Sequence, residues 1–140
     1  MAVICESQKN SIDRLMYYDT RPSVFNGAFD FYTYRPLKGY YPMKWYGEFY
    51  DLEKEIRAEK EPQDFYTIAG LDKEGKTTAI IAHYSDNDAK SPTQVCVELK
   101  EGAEYEVYLL DKDHDGERVE IAKELCFEMP VHSCIMIKEK

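Results

Sequence analysis

From residue 61 onward, apolar and polar positions alternate in short runs, and turn residues interrupt them every 8 to 12 positions. Val95, Val97 and Leu99 alternate with Gln94, Cys96 and Glu98, the period-two pattern of a strand with one buried face. Ile80 and Ile81 instead sit inside a continuous apolar run, which marks a central strand covered on both sides. The segments DFYTIAGLD, TTAIIAHYS, TQVCVELK, YEVYLLD, RVEIAKELCFEM and HSCIMIKE are bounded by KEGK, DNDAKSP, EGAE and similar turn clusters. Six or seven short strands spaced in this way predict an antiparallel β-sandwich.

The first sixty residues follow another rule. Asn10 or Ser11 is placed to cap a short helical run with Ile12, Leu15 and Met16 on one side. The stretch RPSVFNGAFDFYTYRPLKGYYP holds too many Pro and Gly residues for a helix and reads as an ordered aromatic loop. Pro42 suits a first helical turn, and Trp45, Phe49, Leu52 and Ile56 recur at four, three and four residues, which predicts an amphipathic helix over 42–58. Lys44, Glu48, Glu55 and Lys60 form its solvated face. The expectation is a mainly β chain: residues 1–60 a helical and loop segment, residues 61–140 an antiparallel β-sandwich preceded by an aromatic-rich loop and one or two α-helices.

Composition sharpens the boundary, because 13 of the 19 aromatic residues fall in the first 50 positions. The length of 140 residues allows one domain with a real core, or a small domain extended from a larger neighbour. It cannot hold an eight-stranded α/β barrel, which needs roughly 250 residues. A net charge of -9 with scattered basic residues argues against nucleic acid as a partner. No apolar run is long enough to span a membrane, and MAVICESQKN lacks the apolar core of an export signal, so a soluble, cytoplasmic protein is expected. Cys5, Cys96, Cys126 and Cys134 are far apart and lack metal-ligand spacing; reduced, mostly buried thiols are expected.

Candidate chemistry is sparse. DKDHDG, residues 111–116, starts like a calcium loop, but its twelfth position is Ala122 where a bidentate Glu is required, and both flanks read as strands. A hairpin turn, with aspartates serving local backbone donors and Gly116 at positive φ, is the expectation, with no metal or other cofactor. His83, His114 and His132 lie outside any nucleophile motif and are expected at the surface or at strand ends. Glu6 has no partner carboxylate placed to make it catalytic. No catalytic residue is assigned.

The aromatic half does carry a resemblance. Tyr18 and Asp19, the stretch Phe25 to Phe29, Pro36 to Tyr41, and the segment with Trp45 and Phe49 resemble the closing part of the catalytic barrel in clan A glycoside hydrolases, nearest to the beta-xylosidase and alpha-L-iduronidase-like family. The second half is similar to the β-sandwich that follows that barrel, including YLLD at Tyr108 to Asp111 and the HD at His114 and Asp115. The resemblance implies a retaining glycosidase as the parent, with both catalytic carboxylates on barrel strands outside this chain. It therefore implies a non-catalytic accessory portion, with the catalytic α/β barrel as partner. Phe25, Asn26 and Phe29 would reach substrate only with an intact barrel. Two further expectations are a homodimer when the chain is isolated, through aromatics such as Trp45, and, as the alternative function, a carbohydrate-binding module using exposed rings.

Overall fold

The computed structural model describes residues 1–10, 12–17, 20–22 and 27–140. Tyr18, Asp19, Phe25 and Asn26, named above, and the candidate cap Ser11 lie outside the described residues. Among the described residues eight strands form: β1 (Lys54–Ile56), β2 (Phe65–Leu71), β3 (Thr77–His83), β4 (Thr93–Cys96), β5 (Tyr105–Leu110), β6 (Asp115–Ala122), β7 (Cys126–Met129) and β8 (Ser133–Glu139). A six-stranded antiparallel sheet runs β1-β2-β3-β8-β5-β6, and β4 pairs with β7 in a small second sheet. The described residues before them include two short helices, α1 (Ala2–Lys9) and α2 (Tyr40–Glu48), the second extended by a 3₁₀ turn at Phe49–Asp51.

The large sheet is buried on both faces, so the molecule has three layers. One face packs against β4 and β7 through Phe65, Ile81, Val95, Val107, Met129 and Ile137. The other packs under the helices through Ile68, Ile80, Leu110 and Met136, with Cys5 from α1 and Trp45 from α2. Ile80 and Ile81 thus face opposite layers, as adjacent strand residues must. All seven residues of β3 are buried, in keeping with its reading as a central strand. The buried side chains, Trp45 at 1% exposure among them, each contribute roughly 1.5 to 3 kcal/mol of transfer free energy.

Four expectations are corrected. The helix over 42–58 ends early: Leu52 is extended, and residues 53–56 leave helical geometry to pair with β2, with Glu53 N–H donating to Leu71 O at 2.9 Å. Gly70 makes this approach possible, since a Cβ there would lie 2.8 Å from Leu52 Cδ1 and 3.2 Å from Lys54 O. Pairing to an open sheet edge outweighs helical periodicity here. The first helix lies upstream of its predicted place, so Asn10 is its C-cap, its side-chain amide donating to Glu6 O at 2.7 Å, while Ile12, Leu15 and Met16 are exposed. RVEIAKELCFEM divides into β6 and β7, which belong to different sheets. Finally, Cys96 and Cys126 are opposed across β4 and β7 and joined in a disulfide, whereas Cys5 and Cys134 are free.

Candidate functional site

The aromatic loop contains a small ordered hairpin. Phe29 and Pro36 form an isolated antiparallel bridge, closed by Leu37 N–H to Ala28 O at 2.9 Å and Asp30 N–H to Arg35 O at 2.8 Å. Asp30 organises the turn: its Oδ1 accepts the backbone N–H of Tyr32 (3.1 Å), that of Thr33 (2.7 Å) and the Thr33 hydroxyl (2.7 Å). The Thr33 hydroxyl, followed by its backbone N–H, holds the Asp30 carboxyl below its ordinary range. Tyr34 sits at φ 56°, a left-handed conformation that costs a tyrosine about 1 kcal/mol and that the Asp30 turn sustains. The tip turns its rings outward, with Phe31 50%, Tyr32 81% and Tyr34 70% exposed.

This hairpin is anchored on DKDHDG. Lys38 donates to His114 O at 3.0 Å and to Asp115 Oδ1 at 2.8 Å, fixing the end of the aromatic loop to the β5–β6 turn. Phe29 is half-buried with its ring 5.2 Å from that of Tyr40, and Tyr40 in turn is 5.6 Å from Tyr41. Tyr41 and Trp45 then cover Gly116. The turn itself is built as expected of a hairpin: Asp111 Oδ1 accepts N–H groups from Asp113 (2.8 Å) and His114 (2.9 Å) and faces His114 Nδ1 at 2.9 Å, while Gly116 has φ 79°. Burial works to raise the Asp111 pKa, but the His114 ring and the two backbone donors outweigh it and hold the carboxyl low. The reciprocal bond raises the His114 pKa.

The remaining candidates do not converge on a reaction centre. Glu6 is exposed on α1, 3.3 Å from Lys9. His132 lies in the β7–β8 turn, 2.7 Å from Asp88. His83 ends β3, but in the core: its ring stacks on Phe65 at 4.4 Å, Nδ1 donates to Met129 O at 2.9 Å, and Nε2 is buried without a partner. Of the three residues assigned to substrate, only Phe29 is described, and its ring packs against Tyr40 at the start of α2. Asp30 was overlooked in the sequence, although D-x-Y-T, an aspartate two and three residues before its acceptor-seeking backbone donors, is an Asx-turn signal.

No family model matches the chain, and no curated protein matches it in sequence. Solved structures do share its fold. A family 30 endoxylanase from Clostridium papyrosolvens C71 superposes with a TM-score of 0.61 at 11% identity, over 82% of this chain and 30% of its own. A family 30 subfamily 8 xylanase from Clostridium acetobutylicum gives 0.62 at 10% identity, over 82% and 31%. A glucosidase from Croceicoccus marinus gives 0.63 at 11% identity, over 83% and 34%. The chain therefore has the fold of a portion of these glycoside hydrolases, spanning about a third of their length.

Proposed function

We propose that the chain is the non-catalytic β-sandwich portion of a clan A glycoside hydrolase and acts as a structural support for a catalytic α/β barrel. The observation that carries this reading is the aromatic hairpin, which is ordered by the Asp30 hydrogen bonds, tied to the β5–β6 turn through Lys38, and displays Phe31, Tyr32 and Tyr34 outward. A disordered tip would lose its apolar contacts with little cost, whereas a pre-formed one is built to meet a second surface. Here that surface is the barrel, with the hairpin at its rim. The fold shared with two xylanases and a glucosidase supports a glycoside hydrolase parent.

On this reading the chemistry belongs to the barrel. Retaining hydrolysis requires an acid/base and a nucleophile roughly 5 to 5.5 Å apart. Two of the part-buried acids of this chain hold the fold together: Glu61 binds Lys9 and Thr67, and Glu106 binds Arg118 and Tyr108. The finer assignment, to a beta-xylosidase or alpha-L-iduronidase-like parent, follows from the Pro36 to Tyr41 motif and its flanks, with Phe25, Asn26 and Phe29 near substrate once the barrel is in place. Hydrolysis of a panel of aryl glycosides by the purified chain tests the non-catalytic half of the proposal. No turnover is expected, and turnover abolished by Glu6→Gln would overturn it.

A further inference from the structure

We propose that the Cys96–Cys126 disulfide is a thiol–disulfide exchange site, opened by an uncharged or cationic thiol reductant while the rest of the sandwich stays folded. This goes beyond the support role and does not depend on it, since the disulfide lies on the side of the large sheet away from the helices. The register of β4 with β7 pairs Gln94 with Glu128, Val95 with Phe127 and Cys96 with Cys126. Val97 N–H donates to Leu125 O at 2.8 Å and carries the pairing one step further. Side chains therefore alternate between the two faces of the ribbon. Val95, Val97, Leu125, Phe127 and Met129 pack into the core, whereas Gln94, Cys96, Glu98, Glu124, Cys126 and Glu128 are exposed. The bond thus faces solvent from an outer layer, and exposed disulfides are the reducible, regulatory kind.

In the exchange a thiolate of the reductant attacks one cysteine sulfur, a mixed disulfide forms as the Cys96–Cys126 bond breaks, and the electron pair leaves on the other sulfur, which takes up a proton. A second thiol of the reductant then attacks the mixed disulfide, so two electrons and two protons pass to the protein and the reductant departs as its own disulfide. The surroundings select the reductant by charge. Glu98, Glu124 and Glu128 share the exposed face with the disulfide, one same-face repeat of about 7 Å along the strands, and so repel an anionic thiol and attract a cationic one. The lysines nearest in sequence, Lys100 and Lys123, are drawn instead to Glu139 at 3.1 Å and Glu104 at 3.7 Å. Internal thiols do not compete, because Cys5 and Cys134 pack on the helix side of the large sheet and burial pushes them up to about 12 and about 11. The core outlasts the bond: β7 stays docked through His83 Nδ1, which donates to Met129 O at 2.9 Å, and its end through Ser133 Oγ, which donates to Pro130 O at 2.6 Å. β4 pairs with β7 alone, so opening the bond loosens β4 first.

The test treats the oxidised full chain in native buffer with dithiothreitol, cysteamine or glutathione, and follows it by alkylation with peptide mapping and by amide hydrogen exchange. Dithiothreitol should expose Cys96 and Cys126 to alkylation and leave Cys5 and Cys134 unlabelled. Amide exchange in β4 should quicken at least about tenfold while β3 and β8 keep their protection, and oxidised dithiothreitol should restore the starting state. The ratio of cysteamine to glutathione rates, at equal thiolate concentration and low salt, should fall about tenfold when Glu98→Gln, Glu124→Gln and Glu128→Gln are combined. Raising the salt should lower the same ratio in the wild-type chain. A bond that opens only in denaturant, labelling of Cys5 or Cys134 together with the other two, unchanged exchange in β4, or a rate ratio indifferent to the charge removal or to salt would each overturn the proposal.

Discussion

Gly116 lies so close beneath Tyr41 that a Cβ added to it would stand 2.8 Å from Cδ1 of the tyrosine ring, and 3.3 Å from Cζ2 of Trp45. The glycine does two things at once: it takes the φ of 79° that the turn requires, and it lets α2 settle on the β5–β6 hairpin. Gly102 shares the first property, with φ 78°, but no heavy atom lies within 4 Å of its virtual Cβ. Gly116→Ala should therefore cost about 2 to 3 kcal/mol in chemical denaturation, against about 1 kcal/mol for Gly102→Ala. Equal losses would mean that α2 does not press on the turn.

Asp111 and His114 make the turn sensitive to pH from both sides. The His114 pKa is raised, so its contribution is complete below the ordinary imidazole value of about 6.5 and is lost as pH rises through its folded value. The Asp111 pKa is lowered, so its contribution is present above the ordinary carboxylate value of about 3.9 and is lost as pH falls through its folded value. An NMR titration should place the His114 midpoint above the ordinary value and lower it in Asp111→Asn. An unchanged midpoint in the variant would break the pairing.

The Cys96–Cys126 disulfide closes a sequence separation of 30 residues and joins two four-residue strands that pair only with each other. Replacing both cysteines with serine should cost about 3 kcal/mol. Cys5 and Cys134 should alkylate slowly in the native protein, because burial pushes their thiols up to about 12 and about 11. The count also bears on location: a chain held in the reducing cytoplasm should carry four thiols, and one matured in an oxidising compartment two. Mass spectrometry after denaturing alkylation distinguishes them.

Trp45 is buried under α2, so it cannot supply the associating face expected of it. The hairpin instead presents three exposed rings close together, those of Phe31, Tyr32 and Tyr34. If the isolated chain self-associates, as we propose, Phe31 and Tyr32 are the contacts, and their replacement by Ala should shift light scattering towards monomer while Trp45→Ala should unfold the chain, at about 3 to 5 kcal/mol. A wild-type monomer throughout a dilution series would remove the proposal.

Local pattern revealed the β half well, because strands such as β3 and β8 carry their burial in a run or an alternation that needs no partner to be read. Leu52 and Ile56 misled because their spacing suits a helix, while the feature that captures them, the bare backbone of Gly70, lies on a later strand. α1 was missed for a related reason: its one buried residue, Cys5, gives no periodic stripe. The disulfide was not legible either, since the pairing of Cys96 with Cys126 depends on β4 and β7 leaving the main sheet together. At the candidate site, the turn at Asp111 to Gly116 was readable from its aspartates and glycine, but its role as the seat of Lys38 and Tyr41 arises only in three dimensions.

The support role is tested most directly by a chimera in which this chain replaces the structurally equivalent portion, 30% of the chain, of the Clostridium papyrosolvens endoxylanase. Xylan hydrolysis is measured beside that of the isolated chain and of the xylanase lacking that portion. The account predicts that the chimera folds and turns over xylan, that Phe31→Ala and Tyr32→Ala together lower its melting temperature, and that the isolated chain is inactive. A folded chimera without turnover, or a melting temperature indifferent to the hairpin rings, would contradict it.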